Sequence, residues 1–105
     1  MMREFQLVLQ FKPWGDRPPD DLVAVEERLE ALADFDAGVD GHDFGSGEGN
    51  IFIITSDPHR TLRECMPAIT AEGLLPLLSA GYRPLEGDSY VRLWPVGIGA
   101  PFEVV

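Results

Sequence analysis

Residues 3–12 alternate in character. Phe5, Leu7, Leu9 and Phe11 fall on one side of an extended chain, and Glu4, Gln6, Gln10 and Lys12 on the other, with Val8 the exception. Side chains of a strand point alternately to opposite faces, so this period of two predicts a strand with one face on a core and one nearer water. Pro13 and Gly15 end it, and Pro18-Pro19 reinforce the break. The period then changes. Leu22, Val25, Leu29 and Leu32, with Phe35 continuing the stripe, predict an amphipathic helix of about four turns. Asp20 or Asp21 is placed to cap its first free N–H groups, and Gly38 to stop it.

A glycine-rich stretch follows, with a short strand predicted over 39–44. Gly45-Ser46-Gly47-Glu48-Gly49 is the expected hairpin loop. Ile51-Phe52-Ile53-Ile54 is an unbroken apolar run, the pattern of a central strand buried on both faces. Asp57-Pro58 is a helix start, with Asp at the cap and Pro in the first turn. Leu62, Cys65 or Met66, and Ile69 form the stripe of that helix, and Pro67 predicts a kink or break within it. Residues 74–78 predict a further helical turn or two, stopped by Gly81. Residues 82–85 and 89–94 are extended, either as a terminal hairpin or as one bent strand with a bulge. Tyr90, Arg92 and Trp94 then share one face, and Val91 and Leu93 the other. Residues 96–105 are expected over a sheet edge or on a neighbour.

The order is β-α-β-β-α-β with a possible extra C-terminal strand. It predicts an α+β, ferredoxin-like βαββαβ two-layer sandwich, an antiparallel sheet with two helices on one face. The 105 residues and 45% apolar content predict one domain, 1–105, with one core.

Charge narrows the partners. Eight Lys+Arg face 18 Asp+Glu, a net charge of −10. Between Asp20 and Glu48 stand ten acids and one base, Arg28. Such a surface repels phosphate backbones and anionic membranes, so neither nucleic acid nor membrane is expected as a partner. The acids serve solubility, or meet a basic protein partner. Cys65 is the lone cysteine, which excludes an internal disulfide and fits a reducing cytoplasm. The amino-terminal residues show no continuous apolar run of the signal-peptide kind.

The densest polar cluster is Asp40-Gly41-His42-Asp43, with Glu48 and Asn50 close behind. His42 with Asp40 or Asp43 is a possible proton-transfer pair, and Asp40, His42 and Glu48 a possible divalent-metal set. On a regular strand Asp40 and His42 share a face while Asp43 takes the other, too few convergent ligands for a closed site. Turn formation accounts for the same residues, with Glu48 and Asn50 bonding across the hairpin. No metal or cofactor is expected. Gly45-Ser46-Gly47-Glu48-Gly49 leads into a strand, not a helix, so it is no phosphate loop. Cys65 reads as a buried, inert thiol and His59 as a surface residue. Glu48, Asn50, Tyr90, Arg92 and Trp94 are the binding candidates, since aromatic and Arg side chains dominate binding hot spots.

Gly41-His42-Asp43-Phe44-Gly45-Ser46-Gly47-Glu48, Asn50-Ile51-Phe52-Ile53 and Tyr90-Val91-Arg92-Leu93-Trp94-Pro95 resemble a set of small bacterial proteins of ferredoxin-like type. The resemblance covers under a quarter of the chain and carries no activity or catalytic residues with it; it implies that the hairpin motif is shared. The function expected is a non-enzymatic cytoplasmic interaction or ligand-sensing module, a homodimer through the sheet or the terminal segment. The alternatives are a small dimeric enzyme using His42, and an acidic immunity or antitoxin-like protein bound to a basic partner.

Overall fold

The computed structural model describes residues 5–32, 37–97 and 102–104. Among these residues, five strands and two helices follow in the order β1 (Phe5–Phe11), α1 (Asp20–Glu30), β2 (Ala37–Gly45), β3 (Glu48–Thr55), α2 (Pro58–Ala71), β4 (Leu78–Pro84) and β5 (Val91–Trp94), with a 3-10 turn at Leu75–Leu77. The strands form one sheet in the order β2-β3-β1-β4-β5, with every pairing antiparallel. The architecture is therefore α+β.

Partners across an antiparallel ladder share a face. Leu7 opposite Ile53 and Tyr82, and Leu9 opposite Ile51 and Ala80, define the helix-bearing face. Leu22, Val25 and Leu29 of α1 and Leu62, Cys65 and Ile69 of α2 close over it. Trp14 completes this core. Its ring meets Phe11 and Phe44 edge-on, its Nε1–H donates to the Arg17 carbonyl at 2.9 Å, and its backbone N–H donates to the Gly47 carbonyl at 2.8 Å. The Pro/Gly loop after β1 is thereby fastened to the hairpin.

Asp57 caps α2 as expected, its Oδ1 accepting from the Arg60 N–H at 3.1 Å. Pro67 neither ends nor divides that helix; it is exposed, and the helix runs through it to Ala71. In α1 the cap position is Pro19 without a side-chain bond, and Asp20 and Asp21 lie in the first turn, where the helix dipole favours carboxylates. The helix ends at Glu30, leaving Leu32 exposed, while Phe35 lies outside the described residues. Gly38 is a strand residue. Glu48 and Gly49 also belong to a strand, and the hairpin turn is Ser46-Gly47 alone. Both turn residues have positive φ (52° and 78°), as a type I′ turn requires.

β3 is interior, but β1 holds the centre. β4 and β5 are separate strands joined as a hairpin, and a bulge there makes Leu93 an extra residue: Trp94 pairs with Ala80 and Arg92 with Gly81. Trp94 consequently packs on the helix-side core, parted from Arg92.

Gly81 is no helix stop; it sits within β4 beneath the ring of Phe102. A Cβ there would lie 2.5 Å from Phe102 Cδ2. Residues 102–104 thus lie on the face without helices rather than beyond an edge. Gly81→Ala should cost about 1–3 kcal/mol by overpacking, and most of that cost should vanish in a Phe102→Ala background. Urea unfolding of the four members of the cycle measures both.

Candidate functional site

The helix-free face gathers most of the binding candidates. Gln6, Val8 and Gln10 of β1 alternate with the core residues and so point there, as do Glu48 and Asn50 of β3. Arg92 joins them through its pairing with Gly81, and Tyr90 Oη donates to Gln6 Oε1 at 3.3 Å. The guanidinium of Arg92 stands 5.5 Å from the centre of the Phe102 ring, and Tyr90 packs on the same ring. Glu48, Asn50, Tyr90 and Arg92 therefore occupy one surface; Trp94 does not.

This face is not open to water throughout. Val8 is fully buried and Gln10 is 2% exposed. Gln10 Nε2 donates to the Glu103 carbonyl at 2.8 Å, which ties the C-terminal segment across β1. β1 thus departs from the expectation of one strand face near water.

The hairpin residues divide between the two faces. Asp43 pairs with Asn50 on the helix-free face, and Asn50 Nδ2 donates to Asp43 Oδ1 at 3.1 Å. His42 pairs with Ile51 on the helix-bearing face, where its Nδ1 lies 3.0 Å from Glu26 Oε2 of α1. A bulge between Val39 and Gly41 makes Asp40 the extra residue and breaks the simple alternation through it. His42 thus has neither Asp40 nor Asp43 as its hydrogen-bond partner; it has Glu26, a residue that local spacing in the hairpin could not reveal. Glu48 and His42 lie on opposite faces, so the Asp40, His42 and Glu48 metal set does not assemble. Among the described residues no group of three or more His, Cys, Asp or Glu is placed to hold a metal ion.

Glu48 is 2% exposed and Asn50 1%. Asn50 Nδ2 donates to Asp43, while Asn50 Oδ1 has no hydrogen-bond partner. Glu48 Oε2 is likewise buried and unpartnered. Two bare acceptors beside one another in a covered surface are costly, because each has given up water and gained nothing. The glycine facing Glu48 keeps this region uncrowded: an added Cβ at Gly45 would meet nothing within 4 Å.

No family model, curated protein or solved structure matches the chain.

Two other features bound its chemistry. An open groove of about 520 Å³ runs along α1 past Asp20, Glu27 and Ala31, and the pair between Arg28 Nε and Glu72 Oε2, 2.6 Å, lies in its wall. Cys65 lies within the core, where burial pushes its thiol up to about 12, with the charge of Glu64 adding to the effect. A thiol so held is no nucleophile.

Glu48→Met should stabilise the fold by about 1 kcal/mol, since it replaces a buried acceptor that lacks a partner with an apolar side chain of similar length; the urea midpoint reports it. The raised Cys65 value means that the fold holds this proton more tightly than the unfolded chain does. Its contribution is complete below the ordinary value of 9.0 and is lost as pH rises toward about 12. Between about pH 8 and about pH 11 the wild type should therefore lose more stability than Cys65→Ala, measured by urea unfolding at both values.

Proposed function

We propose that this protein is a ferredoxin-like βαββαβ sandwich extended by an edge strand, acting as a non-enzymatic ligand-sensing module of the cytoplasm that binds on its helix-free sheet face. The antiparallel order β2-β3-β1-β4 supports that topology, with β5 added beyond β4. The observation that carries the binding role is the placement of Glu48 and Asn50 of β3 and of Tyr90 and Arg92 at β5 on one face, which residues 102–104 cross between them. The described contacts of that segment include the Phe102 ring over Gly81, beside Tyr90 and Arg92, and the hydrogen bond from Gln10, contacts that a ligand arriving on the same face would disturb. Binding would then be read out as movement of the segment. The lone cysteine supports a reducing compartment. No described helix is long and apolar enough to cross a membrane.

The module is proposed to work as a homodimer through the β5 edge. Val91 there is 50% exposed, with exposed Leu85 before the strand and Val96, 80% exposed, after it, and β5 is the last strand of the described sheet. The acidic groove along α1 favours a second reading, a basic protein partner seated on Asp20, Glu27 and Glu72.

Light scattering on a size-exclusion column should give about twice the chain mass of 11.6 kDa. A monomer at high concentration would remove the dimer. A mixed fragment library followed in 15N–1H correlation spectra should move amides at Gln10, Asn50, Gly81 and Arg92 together with Glu103. Shifts confined to α1 would replace this reading with the basic-partner one, and a silent sheet face would sink the ligand-sensing role.

A further inference from the structure

The bare acceptors specify what a ligand on this face must bring. Glu48 Oε2 and Asn50 Oδ1 accept hydrogen bonds and are offered none. The Asp43 carboxylate, which receives one bond from Asn50, is an acceptor too. The three side chains are neighbours by register: Glu48 and Asn50 lie two residues apart on β3 and so share a face, and Asp43 is directly opposite Asn50. A complementary ligand is therefore a donor, and beside two carboxylates it is a cation.

Two of the cations on this face are engaged elsewhere. Arg83 Nη1 donates to the carbonyls of Pro84, Leu85 and Gly87, and Arg92 packs against Phe102. Lys12 follows Phe11, the partner of Gly49, and so falls opposite Glu48 in register. It is exposed, however, and Oε2 remains without a bond. A hard divalent metal suits the cluster poorly, since calcium takes six to eight oxygens and only two carboxylates are brought together here. A primary ammonium group carries three N–H donors, one for each of Glu48, Asn50 and Asp43.

There is also a way in. Asp43 and Gly45 are exposed, and the space over Gly45 is open.

We propose that Asp43, Glu48 and Asn50 form a seat for a primary ammonium ion, entered over Gly45. This rests on the helix-free face being the binding face and names the class of ligand it takes. Charge-assisted bonds from the ammonium would satisfy Glu48 Oε2 and Asn50 Oδ1 at once, and the Asn50–Asp43 bond would hold Asn50 Oδ1 turned toward the ligand.

The test is a titration of the intact protein with n-butylammonium chloride, followed in 15N–1H spectra. Saturable shifts are expected at Asp43, Glu48 and Asn50. Tetramethylammonium, with the same charge and no N–H, should bind at least about tenfold more weakly. Glu48→Gln and Asp43→Asn should each weaken butylammonium by about tenfold; Asp43 is exposed, so its variant tests the seat even if the buried substitution disturbs folding. Gly45→Val, which fills the entrance without touching a charge, should abolish binding, whereas Lys12→Gln should leave it unchanged or tighter. Putrescine and Nα-acetyl-lysine amide separate the sources, the tighter ligand showing whether a free amine or a lysine side chain is favoured. Equal binding of tetramethylammonium, tighter binding of magnesium or calcium, loss of binding in Lys12→Gln, or an Asp43→Asn variant of unchanged affinity would each overturn the seat. Shifts that never saturate would do the same and leave a buried water as the partner of Glu48. If fragments still move the helix-free face while butylammonium does not, the ammonium seat fails and the binding role of the face stands.

Discussion

Everything in this fold is arranged around one strand that is enclosed on all sides. β1 is hydrogen-bonded to β3 along one edge and to β4 along the other. Leu7, Leu9 and Phe11 are sealed by the helices on one face, and Val8 and Gln10 are sealed on the other. A polar side chain buried mid-sheet has to be given a partner, because an unmet amide in a dry environment forfeits its hydrogen bonds to water. The Glu103 carbonyl supplies that partner for Gln10. Bringing residues 102–104 that close sets Phe102 against the sheet, and only a residue without a side chain can stand beneath it, which accounts for Gly81.

The two faces of the sheet follow different rules. The helix-bearing face is apolar, closed by two helix stripes and by Trp14. Its polar contacts lie at the margins, where Arg28 meets Glu72 and His42 meets Glu26 across elements. Exposed pairs of this kind add little stability and mainly set how the layers register. The helix-free face is polar and incompletely satisfied, with Glu48 Oε2 and Asn50 Oδ1 buried and bare. Stability alone gives no reason to retain such atoms.

The acidity seen along Asp20–Glu48 is divided by the fold. Asp20 and Glu27 border a groove on α1. Glu26 serves His42, Asp43 serves Asn50, and Glu48 is withdrawn from solvent. One run of like charge in the sequence thus contributes to three separate environments, and a uniform acidic surface is the wrong picture of it.

The periodicities of the chain determined the elements themselves. Period two in β1, the apolar spacing in α1, and Asp57-Pro58 at the start of α2 are local signals, since backbone geometry alone fixes which neighbours share a face. The hairpin was legible in outline, but its turn shrank to Ser46-Gly47 because Glu48 and Gly49 continue the ladder with β2. Contact between distant segments escaped that reading: Gly81 as a packing site for Phe102, the bulges that turn Trp94 from Arg92 and displace Asp40, and Glu26 as the partner of His42. So did the burial of Gln10, Glu48 and Asn50, all of them polar residues of strand or turn character. Sequence determined which residues can form strands and helices, because those preferences act over a few residues. Tertiary structure decided which polar atoms lose their water and which of those find a partner, because that depends on where the far end of the chain comes to rest.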